Sequence, residues 1–204
     1  YEILIGLVGS EMCIRDSSID LAEQSNVNFG VMANGELVEF DYRVGGKTQV
    51  TDAESIKDGF TAGACSLETA LTDASAVDPA MTGKLVELKL GATEGKHQSV
   101  NFTNEAVTGI SASTKKIILR VYNPTEEDVP FMMLAKFKGS SINVNLITTV
   151  LKPGENAIEV SGFGGMPWGR YVSLEYLAIY FTDEVDAAYP ARSFYVKDFV
   201  TYDS

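Results

Sequence analysis

Few residues in this 204-residue chain could do covalent or metal chemistry. The only histidine, His97, stands in the polar stretch EGKHQS, and a solvated surface imidazole is the plain reading of it. No serine sits in a Gly-x-Ser-x-Gly setting, so a Ser-His-Asp hydrolase lacks both its nucleophile turn and its base. Cys13, Cys65 and one histidine do not add up to a zinc site. Paired carboxylates need only two acids across a scissile bond, and Glu184-Val185-Asp186 offers two, but Ala-Ala-Tyr-Pro follows and the segment reads as a loop. The glycines mark turns, without the spacing that cradles a phosphate. Asp198 is more informative. In SFYVKDFVTYD it falls on the face expected for Phe194, Val196, Val200 and Tyr202, because successive strand side chains point to opposite sides. A carboxylate in an apolar row is costly to bury alone, so Asp198 is expected to have a cation or several donors beside it. Backbone amides, Arg43 and Lys197 are the candidates. The other marked cluster is aromatic. The loop FGGMPWGRY holds the only tryptophan, Trp168, with Arg170 and Tyr171, among Gly164, Gly165, Pro167 and Gly169. Backbone chemistry sets the shape of such a loop.

The elements that must position these residues are strands. Val38, Phe40, Tyr42 and Val44 alternate with Leu37, Glu39, Asp41 and Arg43 until Gly45-Gly46 stops the run. From Lys47 to Met81 the chain is rich in Thr, Ala, Ser, Asp and Gly. Long loops with short strands are expected there, with a helical turn or two at SLETALTDA. KLVELKL reads as a strand whose register Leu85 and Val86 leave open, and Gln98–Phe102 as a short one. KKIILRVY is a stronger strand, ended by Asn123-Pro124. Phe131, Met133, Ala135 and Phe137 share one face of the next run, and Ile142, Val144, Leu146 and Val150 one face of the run after. Pro153-Gly154 turns into Ala157–Val160. In the penultimate run Leu177, Ile179 and Phe181 alternate with Tyr176, Ala178 and Tyr180. Nine or ten short strands with Gly- and Pro-marked turns, and no helix between strands, point to an all-β fold, an antiparallel β-sandwich of the jelly-roll kind.

Composition narrows the partners. The net charge of −12 at pH 7 makes the chain a poor match for phosphate backbones, so no nucleic-acid partner is expected. No apolar run approaches the roughly 18 residues that a membrane span needs. Residues 1–17, YEILIGLVGSEMCIRDS, look like translated sequencing-adapter read-through. They lack the basic head of a signal peptide. They are expected to lie outside the fold, leaving residues 18–204 as one domain with Cys65 as its lone thiol and no disulfide framework.

GKLVELKL, KKIILRVYNPTEED, LKPGENAIEV, Trp168, LEYLAIYFTD and SFYVKDF follow one another in that order. Together they resemble the galactose-binding-like jelly rolls that serve as carbohydrate-binding modules of bacterial glycoside hydrolases. The resemblance runs from about Leu37 to Tyr202, with LVEFDY in the place of an early aromatic-acid strand; 47–80 has no counterpart. It implies polysaccharide recognition by aromatic faces, and so a stacking platform at Trp168, Arg170 and Tyr171, with Tyr189 as a further aromatic. The plain alternative is that Trp168 tucks under its loop and plugs the core. The resemblance also implies a structural calcium (Ca2+) held by Asp41 or Glu39 with Asp198, since calcium takes six to eight oxygens of mixed kind. The function it implies is a non-catalytic module, secreted or at the cell surface, joined to a catalytic domain. The alternative is a structural or adhesive spacer without a ligand, which requires Trp168 to be buried.

Overall fold

The structure is a computed structural model that describes residues 28–33, 36–41, 48–171, 173–185 and 187–203, with side chains from 48 onward. Residues 1–17 lie outside the described set. The chain divides into two units, Tyr1–Gly46 and Lys47–Ser204. The first holds an antiparallel hairpin of β1 (Asn28–Ala33) and β2 (Glu36–Asp41), in which Phe29 faces Phe40 and Asn28 faces Asp41.

The second unit is the sandwich. Its strands are β3 (Thr48–Asp52), β4 (Phe60–Ala62), β5 (Leu67–Asp73), β6 (Lys84–Leu90), β7 (Thr93–Glu94), β8 (Ser99–Phe102) and β9 (Thr114–Asn123). There follow β10 (Val129–Phe137), β11 (Asn143–Leu151), β12 (Gly154–Ser161), β13 (Leu174–Tyr180), β14 (Ala188–Tyr189) and β15 (Arg192–Asp203). A five-stranded sheet runs β11-β10-β13-β8-β4, and a six-stranded sheet runs β12-β9-β15-β6-β5 with β3 also on β15. All of the pairings are antiparallel. Three four-residue helices lie between strands: α1 (Ala53–Ile56), α2 (Ala74–Val77) and α3 (Glu105–Thr108). Asp52 caps α1 by accepting from Ser55 N at 2.9 Å, and Asn104 caps α3 by accepting from Val107 N at 2.9 Å.

Strand alternation makes the core. Phe131, Met133, Ala135 and Phe137 of β10 and Leu177 and Ile179 of β13 point inward from one sheet. Ile117, Leu119 and Val121 of β9 and Val86, Leu88 and Leu90 of β6 point inward from the other. Phe181 stacks on Phe194 with centroids 4.2 Å apart, and Phe60 on Phe102 at 4.5 Å. Each fully buried ring removes enough apolar surface to contribute about 1.5–3 kcal/mol. Leu85 points the other way from Val86, into a second small cluster with Ala74 and Met81, so both residues are buried on opposite faces of β6.

Three expectations need correction. SLETALTDA is mostly strand: Leu67–Asp73 pairs with β6 along its whole length, and only Ala74–Val77 is helical. In β15 the register against β9 shifts between Val196 and Asp198, so Lys197 is an extra residue and every later side chain changes face. Phe194 and Val196 point into the core, but past the bulge it is Phe199 that does so. Asp198 therefore stands on the outer face opposite Arg120, outside the apolar row. A second register shift, at Leu146 of β11, likewise turns Val150 outward to 42% exposure while Val144, Leu146 and Ile147 pack on the core.

Candidate functional site

The aromatic loop closes one end of the sandwich. It starts at Gly162, whose φ of +87° is the conformation that favours glycine; Gly164, Gly165 and Gly169 have no such angle. Phe163 is fully buried. The Trp168 indole N–H donates to Phe163 O at 2.6 Å, and its ring meets Phe137 edge-on at 5.1 Å. Tyr171 lies tilted over the same Phe137 at 5.5 Å, with the exposed Arg170 guanidinium 5.7 Å above its ring. Trp168 and Tyr171 are thus half-buried props for the end of β10, which favours the tucked placement of the indole over an open platform.

Tyr189 is elsewhere. Trp168, Arg170 and Tyr171 precede β13, whereas Tyr189 follows it, beyond Phe181. The seven residues of β13 separate the two by roughly 20 Å. The Tyr189 hydroxyl bonds Glu184 N at 3.3 Å and Glu184 O at 3.2 Å, folding its loop back on itself. The Arg192 guanidinium lies 5.7 Å over its ring. Arg192 Nε donates to Gln98 Oε1 at 2.7 Å, and Nη2 donates to Phe181 O. Burial lowers the pKa of this guanidinium from its ordinary value. Val185 is exposed and Glu184 serves its loop through its backbone, while Asp186 lies outside the described residues.

Asp198 has the cation that its burial demanded, from a residue the sequence did not single out. Arg120 Nη1 donates to Asp198 Oδ2 at 2.6 Å, across the register pair of β9 and β15. Lys197 instead reaches Glu155 at 3.4 Å. Among the described residues the other carboxylate oxygen, Oδ1, is buried without a hydrogen-bond partner. Calcium takes six to eight oxygens, of which Asp198 would supply at most two. Among the described residues no three His, Cys, Asp or Glu gather as a metal site. Glu39 and Asp41 lie in β2, whose side chains are outside the described residues.

The surface that the sequence reading left unused is the outer face of the five-stranded sheet. With Leu177 and Ile179 inward, Tyr176, Ala178 and Tyr180 face out, and both tyrosines are half-exposed. The tyrosines are four residues apart on one strand, or about 13 Å. The register sets Lys136 beside Tyr176, Leu134 beside Ala178 and Met132 beside Tyr180 on one side. On the other side Asn101 pairs with Ala178 and Ser99 with Tyr180, and Thr61 lies beyond Asn101. Asn145 and Thr148 extend the rows on β11. Burial, and then the neighbouring Tyr176, raise the pKa of the Tyr180 phenol, so it stays a neutral donor. The result is two half-exposed rings with the buried Ala178 between them, edged by Met132, Leu134 and Lys136 on one side and by Ser99 and Asn101 on the other. The alternation in LEYLAIYF already carried this signal; an outward Tyr-x-Ala-x-Tyr is a poor choice for a face meant only to be wet.

No protein-family description matches the chain, and no curated protein matches it. Solved structures do. The chain is similar to the CBM22-1 xylan-binding domain from Paenibacillus barcinonensis Xyn10C, with a TM-score of 0.51 and 12% identity over 78% of this chain and 96% of that one. It is also similar to the family 11 carbohydrate-binding module of the cellulosomal cellulase Lic26A-Cel5E of Clostridium thermocellum. There the TM-score is 0.50 and the identity 12%, over 80% of this chain and 97% of that one. The fold is the jelly-roll β-sandwich of such modules, as the strand order expected.

Proposed function

We propose that the chain is a non-catalytic module that binds a neutral polysaccharide along the outer face of its five-stranded sheet. The observation that carries this reading is the pair Tyr176 and Tyr180, each half-exposed with Ala178 buried between them, with Asn101 on one side, Met132, Leu134 and Lys136 on the other, and Asn145 and Thr148 beyond. A tyrosine ring offers an apolar face to the C–H face of a pyranose and a hydroxyl to its rim. The amides match sugar hydroxyls without demanding charge. Among the described residues no ion pair joins the strands of this sheet, which suits an uncharged ligand. Two similar folds bear the names of a xylan-binding domain and of a module of a cellulase, which supports the ligand class. The natural setting on this reading is an exported protein in which a separate domain degrades the glycan. Among the described residues no helix is long and apolar enough to cross a membrane.

The half-buried Trp168 on Phe137 is what a ligand-free spacer also requires, so the binding test decides between the two. Calorimetric titration with soluble xylan, mixed-linkage β-glucan and galactomannan should show saturable binding for at least one of them. The double variant Tyr176→Ala/Tyr180→Ala should lose it by at least a hundredfold, since central aromatic anchors are worth about 2 kcal/mol or more each. Silence with all three polysaccharides, or a double variant that binds like the parent, would leave the spacer reading in possession.

A further inference from the structure

His97 is held in one orientation at the Tyr180 end of this face. Its Nδ1 lies 2.9 Å from Thr182 Oγ1. Thr182 is 1% exposed, and its oxygen already accepts from Gln98 N at 3.2 Å. Among the described residues the Thr182 hydroxyl proton has only His97 Nδ1 to go to. A buried hydroxyl donates where an acceptor stands, so Nδ1 is the acceptor and the neutral ring carries its proton on Nε2. The imidazole stands nearly perpendicular to Tyr180, at 88°, with centroids 5.2 Å apart. The support behind it is rigid. Gln98 is fully buried, and its Nε2 donates to Gly91 O at 2.9 Å and Pro190 O at 2.7 Å. The half-exposed His97 therefore presents a fixed Nε2–H beside the Tyr180 ring, with no acceptor for it among the described residues.

We propose that His97 donates this Nε2–H to an oxygen of the polysaccharide seated on Tyr180, and so is a binding and orientation-setting residue of the five-stranded face. The inference rests on the glycan-binding reading above. It gives the tyrosine strip a polar end: stacking tolerates many sugars in either direction, whereas one fixed donor beside one ring favours a sugar with an acceptor at that position.

Two substitutions separate contact from support. His97→Asn keeps a polar atom near the place of Nδ1, able to meet Thr182, but has nothing where Nε2 stood. His97→Gln reaches the Nε2 position with an amide N–H. With whichever of xylan, β-glucan or galactomannan the parent binds, the Asn variant should bind about tenfold more weakly, the order expected for one hydrogen bond. The Gln variant should recover most of that loss, and both should keep the parent melting temperature. Imidazole 1H–15N spectra at neutral pH should show the proton on Nε2 and a shift of that nitrogen on adding the polysaccharide. Unchanged affinity in both variants while the parent binds would overturn this assignment alone. So would a proton found on Nδ1, or an equal loss in both variants together with lowered melting, which marks a merely structural histidine. A parent that binds none of the three polysaccharides removes the binding reading and this inference together.

Discussion

On the outer face of the six-stranded sheet, Arg120 holds Asp198, Lys116 holds Glu159 at 3.2 Å and Lys197 reaches Glu155, while the Lys116 ammonium lies 4.9 Å over the Tyr202 ring. Tyr122 and Tyr195 meet edge-on there at 6.4 Å and pack against the cluster of Ala74, Met81 and Leu85 beside α2. On the outer face of the five-stranded sheet the tyrosines flank an alanine, with Met132, Leu134 and Lys136 on one side and Ser99 and Asn101 on the other. The six-stranded face carries Tyr122, Tyr195 and Tyr202 and the five-stranded face Tyr176 and Tyr180, and the difference lies in what the rings touch. On the six-stranded sheet the rings are spent within the fold, and cross-strand charges settle the rest of the surface. On the five-stranded sheet the rings are left half-open, and His97 is the partner that Tyr180 meets edge-on. Rings of equal composition thus serve stability on one sheet and availability on the other, and residue counts alone do not separate the two.

The sharpest way to break this comparison is to remove one ring from each face. Tyr180→Ala should weaken polysaccharide binding about thirtyfold, the equivalent of about 2 kcal/mol, with little change in melting. Tyr195→Ala should leave the affinity alone and lower the melting temperature instead. Equal effects on binding would erase the distinction between the faces. Next in size is Arg120→Ala. It strips from Asp198, a carboxylate 7% exposed, its only side-chain hydrogen-bonding partner among the described residues. A fully buried pair broken on one side costs about 3–5 kcal/mol, and the partial exposure of Arg120 brings this to about 2 kcal/mol. For a domain of this size that lowers melting by about 4–8 °C, with binding unchanged at temperatures where the variant is folded. Smallest is the effect of metal removal. With the charge of Asp198 met by Arg120, excess EDTA should leave the melting temperature where it was, and a drop of several degrees would mean that an ion supports the charged face.

Tyr176, Ala178 and Tyr180 were legible as an outward row because β13 alternates without interruption from Tyr176 to Tyr180, past the register shift at Glu175. Asp198 was legible as a residue in need of a cation, though neither its partner nor its face could be read. A single extra residue at Lys197 moves Asp198 from the core row to the outer face, and only the pairing with β9 reveals that insertion. The same holds at Leu146, where the shift against β10 turns Val150 to solvent. Trp168 was marked by its loop, but what it leans on is Phe137, about thirty residues earlier in the chain and brought near by sheet pairing.

The sequence by itself determined the all-β class, the longer strands from Lys84 onward and the inward rows of β10 and β13, because a period of two is a local property that burial on one side imprints on neighbouring residues. The tertiary structure decided where the registers slip, which cation meets Asp198, that Trp168 and Tyr189 stand at opposite ends of β13, and that His97 meets Tyr180. Those facts depend on contacts between residues far apart in the chain, and no window along the sequence contains both partners of any of them.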